Sequence, residues 1–250
     1  WVKNKKKTPI LPKKINLKMP NFDQSIDGYQ GFEALCFHGD KIYLIIESKH
    51  NGFMRSYIIM GTIDLKRSLI DLSQSTLNEI PIPVNLKNIG YESILKHNGN
   101  LYLFFEANGV NVVQKAYALK YSMSLEYKGK VPLQNIEYRL TDVSKADSKG
   151  NFWGMNFFWP GERGLLKPDK DNLVDKLDNG KTHQRFEHVE QLLHFKVNRD
   201  MIIRTTKPPI QLELEKESRN WEGLAMLDDM GFLLIVDEYP RTIFSYLPIR

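Results

Sequence analysis

Carboxylates recur in this chain at a spacing that invites chemistry. Residues 31 to 47 read GFEALCFHGDKIYLIIE and residues 90 to 106 read GYESILKHNGNLYLFFE, so Glu33 and Glu47 return 59 positions later as Glu92 and Glu106. A third copy, NWEGLAMLDDMGFLLIVDE, places Glu222 and Asp237 in the same roles after one inserted residue. A fourth, LTDVSKADSKGNFWGMNFF, aligns Asp142 with the first acid and Asn156 with the second. Each pair brackets a Gly, Asn or Asp turn between two apolar runs. A regular register would therefore make the two acids cross-strand neighbours at the open end of a hairpin. Like charges so placed repel by up to about 1 kcal/mol when exposed, and by more when buried. Something must offset that repulsion. A hard divalent cation is one answer, because Ca²⁺ takes six to eight oxygen ligands at about 2.3 to 2.6 Å, and the repeated positions supply no His or Cys for zinc or copper. Backbone amides or water holding the carboxylates are the other answer.

The elements that must position these acids are hairpins. Further β-rich sequence joins them, as at Tyr57 to Ile63 and Val113 to Tyr121, and long helical periodicity with caps is absent. Repeats of roughly 40 to 60 residues, each a small sheet, predict an all-β β-propeller. A sandwich is the rival, but it leaves the repeated acids unexplained. Strand counting gives blades at 31 to 85, 90 to 138, 139 to 214 and 221 to 250 of a single domain spanning 1 to 250. The stretch Thr8 to Met19 reads as extra strand that closes the ring against the last blade or completes a first blade begun upstream of Trp1. Five blades are expected, with six as the alternative. Residues 160 to 185, rich in Gly, Pro and alternating charge, form a long polar insertion in the third blade.

In a propeller the first strand of each blade lines the central channel, so Glu33, Glu92, Asp142 and Glu222 converge there as metal-ligand candidates. Phe32, Tyr91 and Trp221, each preceding an acid, alternate onto the opposite face and are expected in the core.

Composition excludes several classes. The chain has 250 residues with 35 Lys plus Arg against 30 Asp plus Glu, and seven of the lysines precede Asp23. Without those seven, 28 basic residues face 30 acidic ones, so the body has no general basic field and nucleic acid is not an expected partner. The longest apolar runs fall far short of the roughly 20 residues of a membrane-crossing helix. The single cysteine, Cys36, cannot form an internal disulfide. There is no GxSxG, P-loop, HExxH or paired CxxC. His183, His188 and His194 are irregularly spaced, and His38 and His97 recur near turns away from the acids.

The segments GFEAL, GYESI and NWEGLAMLDDMGFLLIVDEYPRTIFSYLPI resemble the repeated "EGLA" hairpins of the esterase-like phytase family, and YRLTDVSKADSKGNFWGMNFF resembles that family's penultimate inner hairpin. The resemblance implies a propeller that hydrolyses a small anionic phosphoester with calcium, exported to the periplasm or the exterior and monomeric. It departs from the family where the third hairpin ends in MNFFWPG, without the expected acid followed by arginine. On this reading Glu33, Glu92, Asp142 and Glu222 hold metal, and Glu47, Glu106 and Asp237 are catalytic or orient water. Lys49, His50, Arg163 and Arg241 follow the inner hairpins and meet the substrate. The alternative is a non-catalytic propeller that binds a protein or carbohydrate, with the ion fastening the blades. Trp153, Phe157, Phe158 and Trp159, beside the insertion, suit either reading.

Overall fold

The computed structural model describes Val2 and residues 11–72, 76–171, 180–199, 201–238 and 241–249. The lysines between residues 3 and 7, the start of the expected Thr8 to Met19 strand and positions 172–179 of the insertion lie outside them. The described chain is all-β apart from short helical turns, and its four sheets are the blades of a propeller.

Blade 1 contains β1 (Asn16–Lys18), β2 (Tyr29–His38), β3 (Lys41–His50), β4 (Phe53–Asp64), β5 (Leu69–Leu72) and β6 (Asn78–Ile80). Blade 2 is β7 (Tyr91–His97), β8 (Asn100–Phe105), β9 (Tyr117–Ser122) and β10 (Tyr127–Pro132). Blade 3 has β11 (Arg139–Val143), β12 (Asn151–Phe158), β13 (Val189–Val197), β14 (Ile202–Arg204) and β15 (Ile210–Gln211). Blade 4 has β16 (Trp221–Leu227), β17 (Gly231–Val236) and β18 (Phe244–Pro248). The strands within each blade run antiparallel in chain order, save that β1 lies parallel to β5 on the outer edge of blade 1, and β6 and β15 add to β4 and β13. The N-terminal strand therefore neither closes the ring against the last blade nor starts a further one. It finishes blade 1.

Local chemistry sets the hairpins. Asn98 and Gly99 both take positive φ (47° and 69°) between paired His97 and Asn100, the two-residue turn whose twist matches its strands. Second strands read as continuous apolar runs where both faces are covered. Ile42 to Ile46 in β3 and Leu101 to Phe105 in β8 are all buried. Tyr43 and Ile45 face blade 2, while Ile42, Leu44 and Ile46 are covered by Phe22 and Ile26 around the short helix α1 (Phe22–Ser25).

Three apolar cores join the blades in sequence: Tyr43, Ile58 and Tyr91 between the first two, Phe104, Phe152 and Phe195 between the next two, and Trp153, Trp221 and Phe232 between the last two. The expectation of five or six blades is corrected to four. Among the described residues no apolar core joins blade 4 to blade 1, and the two face each other across a cavity of about 780 Å³ that Ile94 and Lys96 of blade 2 and Asp142 and Val143 of blade 3 also line. In β17 only alternate residues, Phe232, Leu234 and Val236, are buried against blade 3. Ile235 is exposed on the other side with Phe244, opposite the exposed Leu35 and Phe37 of β2. The fifth blade was expected from the stretch before residue 20, whose described strand β1 instead lies on the outer edge of blade 1 against β5. No helix of the described residues is long and apolar enough to cross a membrane.

Candidate active site at the channel mouth

The repeated acids owe their placement to β-bulges. The β2–β3 register moves from Phe32 opposite Ile46 to Ala34 opposite Ile45, leaving Glu33 as the extra residue. The same shift leaves Glu92 unpaired between Tyr91 and Ser93, and Glu222 between Trp221 and Gly223. A bulge frees one residue from the ladder and redirects its side chain. Glu33 and Glu47, and Glu92 and Glu106, are thus not direct cross-strand partners. Glu47 is paired with Gly31, and the amides of Glu106 and Asp237 donate to the carbonyls of Gly90 (2.9 Å) and Asn220 (3.2 Å).

Blade 3 breaks the pattern, and the alignment of Asp142 with the ring is corrected by one residue. Its bulge lies between Leu140 and Asp142, so Thr141 is the equivalent of Glu33, Glu92 and Glu222. The Thr141 hydroxyl donates to the Trp221 carbonyl (2.6 Å). Asp142 accepts the amides of Val143 (2.7 Å) and Leu224 (2.6 Å), so both of its oxygens are engaged in tying blade 3 to blade 4. Burial still pushes its carboxyl up to about 7, against the pull of those two amides. Asn156 is not the second acid's equivalent either. Phe157 is, opposite Arg139. Buried Asn156 donates to the carbonyls of Glu137 (2.9 Å) and Arg139 (3.0 Å) and accepts from Gln191 (2.9 Å), which fixes the backbone that carries Arg139.

Arg139 therefore occupies the position held by Gly31, Gly90 and Asn220 in the other blades. Its Nε donates to Glu106, Nη1 lies 3.6 Å from Glu162 and 3.4 Å from the Asn220 side-chain oxygen, and Nη2 lies 3.6 Å from Glu222. Its guanidinium also lies 5.6 Å from the centre of the Phe157 ring. Glu162 comes from the 3₁₀ turn Pro160–Glu162 that follows β12 and leads into α2 (Arg163–Leu166). Blades 1, 2 and 4 thus bring the repeated carboxylates, and blade 3 brings the cation together with Glu162.

One guanidinium does not neutralise this set. Burial, then the neighbouring Glu33 charge, lifts Glu47 to about 7. Burial lifts Glu106 to about 8 although Arg139 opposes it, and burial with the Glu106 and Glu33 charges raises Glu92 well above the usual range. Burial also raises Glu33, Glu162 and Glu222, and Asp237 adds to the effect at Glu33 and Glu222. Burial disfavours the charged form of Arg139, but Glu106 and Glu162 outweigh it and its pKa rises. Glu47 Oε1, Glu106 Oε2 and Glu162 Oε2 are buried with no hydrogen-bond partner. Among the described residues no three His, Cys, Asp or Glu side chains stand together as a ready metal cage.

Gly90, one of the glycines in the Arg139 position, leaves space for Glu47. A Cβ at Gly90 would collide with Glu47 Oε1 and come within 3.4 Å of the Ser56 hydroxyl. Gly90→Ala should therefore displace the Glu47 carboxylate at a cost of about 1 to 2 kcal/mol. Measured by urea unfolding beside any turnover assay, a stability loss above about 4 kcal/mol would show that the glycine serves packing instead.

The four basic candidates are not gathered on the ring. Lys49 and His50 end β3, where the Lys49 charge reaches Glu47 and His50 contacts the Asn51 amide (2.8 Å). Arg163 lies 3.5 Å from Glu187, stacks over Phe158 and lines a separate cavity of about 460 Å³ with His183 and His188. Arg241 is exposed ahead of β18. Arg139 and Glu162 were missed in the sequence. The signal for Arg139 was present in YRLTD, where a one-residue shift sets it beneath Gly31 and Gly90. Nothing in the repeat marks Glu162.

No family model matches the chain, and no curated protein does. Among solved structures, the chain is similar to the catalytic domain of a Coprinopsis cinerea GH62 alpha-L-arabinofuranosidase, with TM-score 0.35 and 7% identity over 92% of each chain. It is also similar to a GH43_1 enzyme from Xanthomonas citri, with TM-score 0.46 and 12% identity over 90% of this chain and 75% of that one.

Proposed function

We propose that the channel mouth is the active site of a hydrolase that works by carboxyl acid–base chemistry on a small substrate. One observation carries the reading: Glu47, its Oε1 buried and unpartnered, has its carboxyl lifted to about 7 by burial and by the neighbouring Glu33 charge. A group whose pKa lies near the working pH can both give and take a proton. Glu33 accepts a proton from the attacking water, whose oxygen bonds to the electrophilic centre. Protonated Glu47 gives its proton to the leaving oxygen as the scissile bond breaks. One water is consumed and one alcohol released, and a proton passing from Glu33 back to Glu47 resets the pair. Glu106 is fully buried against Arg139, so its role is to position that arginine.

The surplus of carboxylate decides the substrate charge. An anionic ester is repelled unless a cation accompanies it. The calcium-dependent phosphoester reading implied by the phytase resemblance therefore stands as the second one, and the orphaned carboxylate oxygens favour it. The donors are all hard oxygens, with Glu33, Glu92 and Glu222 as the residues that would hold the ion. Calcium there would neutralise charge and polarise a phosphoryl oxygen. Export belongs with this second reading.

The test is a panel of neutral carboxyl esters, glycosides and phosphomonoesters, assayed with calcium and with chelator. Turnover of neutral substrates insensitive to chelator is expected, and Glu47→Gln should lower it by about 100-fold or more while leaving the fold intact. Turnover confined to phosphomonoesters with calcium moves the assignment to the second reading. No turnover on the whole panel overturns the hydrolase and leaves a binding propeller.

A further inference from the structure

Trp159 is a large aromatic left half-open to solvent, at 53% exposure, and the chain holds it in place. It follows Phe158 at the end of β12 and precedes the 3₁₀ turn Pro160–Glu162, whose Glu162 amide donates to the Trp159 carbonyl (3.0 Å). The six-membered ring of the indole lies against Gly161, so closely that any Cβ at 161 would run into it. The indole is thus backed by bare backbone while about half of its surface stays exposed. The same turn sends the Glu162 carboxylate to within 3.6 Å of Arg139, so platform and carboxylate ring are joined by three residues of chain. Proline at 160 fixes one more dihedral of that short link.

Resting on the hydrolase reading, we propose that Trp159 is the specificity platform of the site, and that the substrate carries an uncharged ring with an apolar face, a pyranose or a cyclitol, which stacks on the open side of the indole. Ring C–H groups meet the electron-rich aromatic face, while the ring hydroxyls remain available to the carboxylates beside Arg139. The surplus negative charge of the ring of acids favours an uncharged polyhydroxylated ligand, since carboxylates accept hydrogen bonds from hydroxyls and repel anions.

The experiment is titration of the whole chain with methyl β-D-glucopyranoside and myo-inositol, with linear sorbitol as control, followed by calorimetry and by saturation-transfer NMR. At least one ring should bind saturably and sorbitol should not. Trp159→Ala should weaken binding about three- to tenfold, Gly161→Ala should weaken it through the displaced indole, and Trp159→Phe should restore part of it. Equal affinity in wild type and Trp159→Ala, equal binding of sorbitol, or no ring binding at all overturns the proposal. Thermal melting of each variant separates loss of platform from loss of fold. Ring binding through Trp159 without turnover of any glycoside or ester would sink the hydrolase reading and leave the platform standing.

Discussion

Arg139→Met should lower stability by about 3 to 5 kcal/mol at pH 7.5, the range found when one partner of a buried ionic cluster is removed and the others stay behind. The side chain is 9% exposed, and it is the cation for Glu106, Glu162 and Glu222 together. Methionine matches much of its length without the charge, so packing loss stays small and the deficit is electrostatic. The deficit should shrink on acidification to pH 5, because protonated carboxyls no longer need a counter-charge. Arg139→Lys should fall between, since an ammonium keeps the charge and loses the planar fork that reaches several partners at once. Urea unfolding at the two pH values checks all of this. A change under about 1 kcal/mol at pH 7.5, or a deficit equal at both pH values, would mean that the acids are neutralised by other means.

The wild-type protein should itself be more stable at pH 5 than at pH 8. Glu47 and Asp142 rise to about 7 and Glu106 to about 8 in the folded chain, from ordinary values of 4.5, 3.8 and 4.5. The folded state therefore holds more protons than the unfolded one between those limits, and stability falls as pH rises through that window. The stabilisation is complete near pH 4 to 4.5 and is lost by about pH 8. Asp142→Asn isolates one contributor: it removes a group that must ionise in a buried site while keeping an oxygen for one of the two amides. Its melting temperature should drop less than that of wild type between pH 5 and pH 8. Melting temperatures that rise over this interval would contradict the assignment of proton-holding carboxyls to the folded channel.

The architecture was legible because it is written in repetition. The 59-residue offset between Glu33 and Glu92, with apolar runs on either side of Asp-, Asn- or Gly-containing turns, marks hairpins of one kind, and the acids meet at one end of the channel. The finer geometry was hidden by bulges. An inserted residue is invisible to a rule that sums indices, which sets Glu33 opposite Glu47 where the partner of Glu47 is Gly31. The same error, applied to the divergent third hairpin, set Asp142 in the ring and left Arg139 unnoticed. Acids repeated at this spacing demand a positive charge among them, and their oxygen donors suit a hard cation. A guanidinium from the one blade lacking both acids supplies that charge. Glu162 stayed hidden because its place depends on how the insertion folds back.

Among the described residues, the lack of an apolar seam between the last blade and the first decides what spaces the acids. A ring whose sheets are packed all the way round resists opening as a hoop does, whereas the described cores link blade 1 to blade 4 by way of the two intervening sheets. Glu33 and Glu222 line the same cavity from blades 1 and 4. Arg139, on blade 3 beside blade 4, holds Glu222 with its Nη2 at 3.6 Å. The spacing of Glu33 and Glu222 is then inherited from the three packed seams on the far side of the ring.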